Sequence, residues 1–417
     1  DEAVEHYHKA LQIDPNSGNA LNNLGLLLFE QGKTDEAIRH YLKALQIEPD
    51  SVEVHNNLGS ALAKIGKTDE ASQHYHEALQ IDPDFVKAHN NLGLLLLEQG
   101  KTDEAIEHFR KALEIKPDSV KARKNMGLAL AKQGKMNEAM EHYNTALQTD
   151  PEDAEAFFYI GAELLKQGKT EEAINNFKKA VQINPDYAEA HSNLGSIYLQ
   201  QGNIDTAIYH SQKALRLDPQ LVEAYNSLGI GLMHQGRIDA AISQFQKAVQ
   251  LKPDFTMAAN NLNRALAIQK EIAKEISRLQ QLLKDDPKNV ELHFQLGNLY
   301  FRNGDLNQAK QQYEKALQLN PKFVPALNNL ALVSAAAKAY DRALKAFLEV
   351  LNYYPDDAQT HYNVACMYSR LNQLDKSIEW LKKAIDKGFT DWESIKTDED
   401  LDNVRDSTAY QEFIKGH

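Results

Sequence analysis

The sequence predicts an all-α solenoid of stacked helix–turn–helix units, and three observations lead there. Eleven of the twelve prolines fall in one phase, 34 residues apart, running from Pro15, Pro49, Pro83 and Pro117 to Pro355; Pro325 alone stands outside the series. Each interval carries two apolar stripes of helical period separated by a turn. Small residues recur at fixed places in both stripes. A constant period of this length marks an architecture in which each unit covers the apolar faces of its neighbours.

Residues 86–119, VKAHNNLGLLLLEQGKTDEAIEHFRKALEIKPDS, serve as the template. From Ala88 to Glu98 the apolar residues recur at spacings of three and four, predicting the first helix. Gly93 stands where a side chain would obstruct a neighbour, and Gly100 supplies the turn that ends the helix. Thr102 is the predicted cap of the second helix, with Asp103 and Glu104 on its positive end. Ala105, Phe109 and Ala112 form that helix's inner face. Pro117 cannot continue it, and Asp118 or Ser119 can cap the next.

Composition agrees with a water-exposed array: 42% apolar and 25% charged residues in 417. The longest uncharged apolar run, around Leu94–Leu97, falls far short of the roughly 20 residues of a membrane-spanning helix. Forty-six basic against 59 acidic residues give a net charge of −13. With no basic cluster, the chain is a poor match to a phosphate backbone, so nucleic acid is not an expected partner. Cys366 is the single cysteine, which excludes intrachain disulfides and thiol-rich metal sites. The opening DEAVEHYHKALQIDP aligns with residues 103–117, so the chain starts inside a unit and reads as part of a longer protein.

The repeated positions resemble the tetratricopeptide repeat, whose pattern is a large residue, Leu-Gly, Ala, an aromatic, Ala and Pro. Gly25, Gly59, Gly93, Gly127, Gly161, Gly195, Gly229 and Gly297 match its glycine. Tyr41, Tyr75, Phe109, Tyr143, Phe177, Phe245, Tyr313 and Phe347 match its aromatic. The resemblance runs to about residue 390 and implies a right-handed superhelical solenoid with the first helices lining a concave groove. It divides the chain into half a repeat at 1–17, seven regular units at 18–255, a degenerate unit at 256–289, three less regular units at 290–391 and a C-terminal cap at 392–417. In the degenerate unit Asn263 and Lys270 replace the glycines and Leu279 the aromatic. A helical hairpin is expected to persist there as a joint, a single longer helix being the alternative. Ala331, Lys338, Ala365 and Asn372 replace glycines in the last two units. In the tail, Trp392, Ile395, Leu401, Val404, Tyr410 and Phe413 are expected to cover the last hairpin, because a solenoid end exposes an apolar face.

The candidate binding residues are asparagines of the first helices. Asn23, Asn57, Asn91, Asn125, Asn193, Asn261, Asn329 and Asn363 share one phase, two residues before the glycine position, and Asn22, Asn56, Asn90, Asn226, Asn260 and Asn328 precede them. Asparagine is about 0.5 kcal/mol worse than alanine inside a helix, so the column needs a reason. An amide both donates and accepts, which suits it to hold a peptide backbone whatever its side chains; the competing reason is a hydrogen bond to an adjacent hairpin. The units also resemble those of O-linked N-acetylglucosamine transferase, which implies an asparagine-lined peptide groove. Lys87, Lys121 and Lys124 add positive charge beside the column. The carboxylate clamp of chaperone-binding tetratricopeptide domains is missing, because no arginine occupies the asparagine column.

Histidines form two further columns. His6, His40, His74, His108, His142 and His210 lie near the aromatic position, and consecutive units place them roughly 10 Å apart, too far to share a metal. His55, His89, His191, His293 and His361 stand for the large first-helix residue and are expected in packing. Asp398, Asp400 and Asp402 lack the glycine and the twelfth-position glutamate of a calcium loop, so that reading is rejected. Cys366 is expected to be a buried structural thiol. No catalytic residue, cofactor or metal site is assigned. The expected function is a scaffold that binds proteins or extended peptides; the alternative is the substrate-recruiting repeat region of a larger enzyme, most plausibly a glycosyltransferase. The sequence is compatible with homo-oligomerisation and fixes no compartment, the cytoplasm being preferred.

Overall fold

A computed structural model describes residues 2–415. They are helical with no strand among them, and their contacts separate the chain into two compact units, Asp1–Pro185 and Asp186–His417. The first holds the helix Glu2–Ile13 followed by five hairpins, from Gly18–Glu30 with Thr34–Ile47 to Ala154–Lys166 with Thr170–Ile183. The second opens with two hairpins, Ala188–Gln200 with Ile204–Leu217 and Val222–His234 with Ile238–Leu251. After a single long helix, Thr256–Asp285, come three more hairpins and a tail of short helices.

One contact sets the spacing of the two helices in a hairpin. A Cβ placed on Gly93 would lie 2.5 Å from Cε1 of Phe109, whose ring is wholly buried. The same clash recurs at Gly25 against Tyr41 and at Gly297 against Tyr313, each at 2.6 Å. The glycine is therefore the socket for the aromatic ring of the second helix. The turn that follows is also local. Gly100 adopts φ +77°, its N–H donates to the Leu97 carbonyl (3.2 Å), and the Lys101 N–H donates to Leu96 (2.8 Å), satisfying carbonyls that the helix end leaves bare. Lys338 and Asn372 hold the same left-handed conformation without glycine, at φ 60° and 57°. The turn therefore survives the substitution, at a cost of roughly 1 kcal/mol for the lysine.

Two local expectations need correction. Thr102 is the first helical residue and Lys101 holds the cap position, with no side-chain cap bond, whereas Ser119 does cap, accepting from the Ala122 N–H at 3.3 Å. The hairpin expected at 256–289 is instead the 30-residue helix Thr256–Asp285. Ala258, Ala265, Ile272 and Leu279 are its buried residues, seven apart and so on one helical face, and no glycine interrupts them. The exposed pair Lys274–Glu271 lies away from that stripe, and Arg278–Glu275 flanks it. With no hairpin there, the following turn reaches back to the preceding one: a Cβ on Gly304 would sit 2.9 Å from Asp239 Cβ.

The tail covers the last hairpin. Ile395, Leu401 and Val404 are fully buried in one cluster with Val364, Leu381 and Ala384. The same tail also reaches the helix Ile204–Leu217, where Arg216 pairs with Glu399 and the Arg405 guanidinium lies 5.8 Å from the Tyr209 ring centre. The acidic run is part of this docking. Asp398 accepts from the Tyr362 hydroxyl at 2.8 Å and Asp400 pairs with Arg370 at 2.6 Å. Cys366 is buried beneath Asp398, and burial pushes its thiol pKa well up.

Gly93→Ala should lower stability by about 1–3 kcal/mol through overpacking, and Lys338→Gly should raise it by roughly 1 kcal/mol; chemical denaturation of each variant measures both. Burial, with the charge of Asp400, raises the Asp398 pKa from 3.8 to about 6. The neutral acid thus favours the folded state below pH 3.8, and that contribution is lost as pH rises through about 6. At pH 7–8 the ionised group costs up to about 3 kcal/mol. Asp398→Asn should therefore raise Tm at pH 8 and converge with the wild type near pH 4. An equal shift at both pH values would refute this account.

Candidate functional site

The asparagine columns lie on the first helices, one residue apart, and their amides meet from one hairpin to the next. Asn57 Nδ2 donates to Asn22 Oδ1 at 3.0 Å, and Asn91 Nδ2 to Asn56 Oδ1 at 2.9 Å. In the second unit Asn261 donates to Asn226 at 2.8 Å. The offset of 35 residues is one period plus one, so each column supplies one half of a rung. A third polar position joins the seam: Asn91 also reaches Ser60 at 3.2 Å, Asn329 donates to Asn298 at 2.8 Å, and Ser196 meets Ser227 at 2.9 Å. In two hairpins this position also receives a buried tyrosine hydroxyl, Tyr75 to Ser60 at 3.2 Å and Tyr313 to Asn298 at 2.7 Å.

The seam thus answers part of the asparagine question. Its amides hold adjacent hairpins in register, and Asn56, Asn90, Asn125 and Asn226 are buried. Asn22, Asn23, Asn57, Asn91, Asn193, Asn261, Asn328, Asn329 and Asn363 keep part of their surface, and Asn260 is exposed. Asn193 bonds the Glu189 carbonyl of its own helix at 2.8 Å, and Asn363 accepts from Gln359 at 3.2 Å. The rung that would join Asn90 to Asn125 is open: Asn90 Oδ1 and Asn125 Nδ2 have no partner among the described residues.

Lys87 is exposed beside this rung, and the exposed Lys121 donates to Asn91 Oδ1 at 3.3 Å. Neighbouring helices desolvate Lys121 enough to lower its pKa; Glu155 opposes this, while Lys124 and Lys87 add repulsion. Lys124 is not available to a ligand, because it forms an ion pair with Asp153 at 2.8 Å and another with Glu155.

A cleft of about 900 Å³ opens on the second unit. Asn328, Gln359 and Asn363 supply amides to its lining, and Pro325, Leu332, Tyr353 and Tyr354 supply apolar surface. Tyr354 is 58% exposed. Asp356, on the rim, has its pKa lowered by its bond to Lys387 at 2.5 Å. Sequence reasoning placed the asparagines here but missed the aromatic wall. Its signal was present: Pro325 is the out-of-phase proline, and Tyr353–Tyr354 replace the aliphatic and polar pair that precedes the proline in most units, as Ile81–Asp82 does.

The two histidine columns, read apart in the sequence, face each other across the hairpin. His55 Nδ1 lies 3.0 Å from His74 Nδ1, His89 Nδ1 3.0 Å from His108 Nδ1, and His191 Nδ1 2.8 Å from His210 Nδ1. Glutamine takes the second place in His293–Gln312, at 2.8 Å. The first-helix rings also bond backward, His55 Nε2 to the Pro49 carbonyl at 2.8 Å and His89 Nε2 to Pro83 at 2.9 Å. Burial lowers the His108 pKa to about 4, with His89 adding to it. The recurring offset of 19 residues was the legible signal for these pairs.

Residues 50–261 match the family model described as the cilia and flagella-associated protein 70 C-terminal domain. Residues 1–32 and 25–66 match a TPR repeat model, and 290–323 and 358–386 match tetratricopeptide repeat models. A chloroplastic protein of Arabidopsis thaliana is 35% identical over 79 residues, 18% of this chain and 24% of that protein. The human protein O-mannosyl-transferase TMTC3 is 34% identical over 108 residues, 25% of this chain and 12% of its own length. The chain thus spans a quarter or less of these relatives. Among solved structures, YrrB, described as a TPR protein with an unusual peptide-binding site, aligns at 24% identity and a TM-score of 0.35, covering 45% of this chain and 96% of that one. A tetratricopeptide repeat protein from Parabacteroides merdae aligns at 18% identity and a TM-score of 0.47, covering 60% and 99%.

If the rungs carry register, Asn56→Ala and Asn91→Ala should each cost about 1–2 kcal/mol, with a coupling of roughly 0.5–1.5 kcal/mol in the double-mutant cycle. Denaturant titration of the four proteins measures the coupling, and additive effects would remove the rung.

Proposed function

The chain belongs to the family described as the cilia and flagella-associated protein 70 C-terminal domain, a family of tetratricopeptide repeats, and on that premise we propose that it is a scaffold for extended protein segments. The segment lies along the first helices. Its backbone bonds the amide capacity that the seam leaves over, and Lys87 and Lys121 favour acidic residues next to Asn91. The observation that carries this reading is the cleft on the second unit, where Asn328, Gln359 and Asn363 share one lining with Pro325, Tyr353 and Tyr354. Amides suit a peptide main chain, and the tyrosine faces suit an apolar or prolyl side chain. Each amide bond nets only about 0.5–1.5 kcal/mol, so affinity comes from several contacts on one segment. In this reading the asparagine columns are both seam and groove floor, as the resemblance to O-linked N-acetylglucosamine transferase units implies.

A second reading rests on the match to the human protein O-mannosyl-transferase: the array recruits substrate for a glycosyltransferase to which it is joined. Both readings place a peptide on the same face. The coding sequence upstream of Asp1 separates them, since a catalytic domain there supports the second and further repeats alone support the first.

Peptides selected from a displayed random library on the wild-type chain should lose binding about tenfold or more in Tyr354→Ala/Asn363→Ala, given the combined loss of an aromatic face and an amide. The melting temperature should hold, because both residues are partly exposed. Unchanged affinity would refute the cleft. A parallel variant, Asn57→Ala/Asn91→Ala/Asn125→Ala, assigns those three amides to stability alone if it melts earlier and binds normally.

A further inference from the structure

Among the described residues, one histidine pair has a carboxylate within ligating distance. His55, on the helix Val52–Lys64, and His74 and Glu77, on Thr68–Ile81, bring three donor atoms together. The Nδ1 atoms are 3.0 Å apart, and Glu77 Oε2 lies 3.1 Å from His55 Nδ1 and 2.8 Å from His74 Nδ1. His55 Nε2 faces the Pro49 carbonyl, which can only accept, so in the neutral tautomer Nε2 carries the proton and Nδ1 points a bare lone pair into the cluster. A backbone carbonyl fixing the tautomer of a ring whose other nitrogen is free is the usual second shell of a metal-binding histidine. Between the neutral rings only His74 can supply a proton at Nδ1, and two acceptors compete for it. The contact between His55 Nδ1 and the Glu77 carboxylate is then acceptor against acceptor, and a cation resolves it.

We propose that His55, His74 and Glu77 form a binding site for one zinc ion. Two imidazole nitrogens and one carboxylate are a donor set for zinc rather than for calcium or magnesium, which take oxygen ligands. Bonds of about 2.0–2.1 Å in tetrahedral geometry separate the donors by roughly 3.3 Å, so the triangle has to open by only a few tenths of an ångström. Glu77 and His74 are half-buried, leaving solvent access for water as the fourth ligand.

The sister pairs supply the contrast. At the position of Glu77, the hairpins with His89–His108 and His191–His210 have Lys111 and Lys213, and the one with His293–Gln312 has Lys315. There the pair is a hydrogen bond between helices, and lysine at that position supplies no anionic donor. Only the carboxylate converts this packing device into a metal site.

The control variant is therefore Glu77→Lys, which copies the sister hairpins and should melt like the wild type. Calorimetric titration of the metal-free chain with zinc should give one tight equivalent, and cobalt substitution should give the visible absorption of a four-coordinate ion. Glu77→Lys should lose about hundredfold or more in affinity, beyond the 10–100-fold that second-shell losses cost, and should lose the cobalt bands. His74→Gln, which copies the His293–Gln312 pair, should do the same. A chain with no saturable zinc binding would overturn the proposal and leave a proton shared among the three groups. Equal zinc affinity in Glu77→Lys would overturn it too, placing the metal at other histidines.

Discussion

The contact on which the rest depends is the aromatic ring of a second helix resting on a glycine of the first, found in seven of the hairpins. It removes every atom between ring and backbone, so the two helices approach as closely as their main chains allow, and it is repeated from Gly25–Tyr41 to Gly297–Tyr313. Close approach within the hairpin in turn brings polar positions of consecutive first helices within hydrogen-bonding distance. The asparagine seam, the tyrosine hydroxyls that enter it and the backward bonds from histidine to proline carbonyls are consequences of that spacing. Each is weak alone, near 1 kcal/mol net, and each links hairpins in a fold whose stability is a sum over neighbours.

The same spacing explains why an exposed polar face and a structural seam coincide. An asparagine in a first helix has four hydrogen-bonding capacities, and one bond to the next hairpin uses one donor or one acceptor. In the scaffold reading, the partly exposed members of the columns offer what remains to a partner segment. The second unit adds apolar surface to this amide supply, with Pro325, Tyr353 and Tyr354 around Asn328 and Asn363. Lys124, which sequence alone grouped with Lys87 and Lys121, drops out because Asp153 and Glu155 already neutralise it.

The degenerate stretch shows how a repeat protein breaks its own rule without losing its stacking. At 256–289 both the socket and the turn glycine are absent, and a stripe of Ala258, Ala265, Ile272 and Leu279 gives one continuous helix a single apolar face to bury. Lys338 and Asn372 mark the opposite outcome, since there the turn persists without glycine. The difference lies in the residues beside the turn. Phe347 with Val350, and Leu381 with Ala384, still offer second helices an inner face that must fold back to be covered.

The sequence by itself determined the period, the sockets, the turns and the hairpins outside 256–289, because these are set by residues a few positions apart and read directly as periodicity and glycine placement. It also placed the asparagine and histidine columns and the apolar residues of the cap. Tertiary structure decided which column meets which: Asn56 with Asn91, His55 with His74, and the tail with the helix Ile204–Leu217 as well as with the last hairpin. Those pairings depend on the rotation and rise of one helix against another, to within a few ångströms. No local propensity encodes that quantity, and it exists only once the rings have settled onto their glycines.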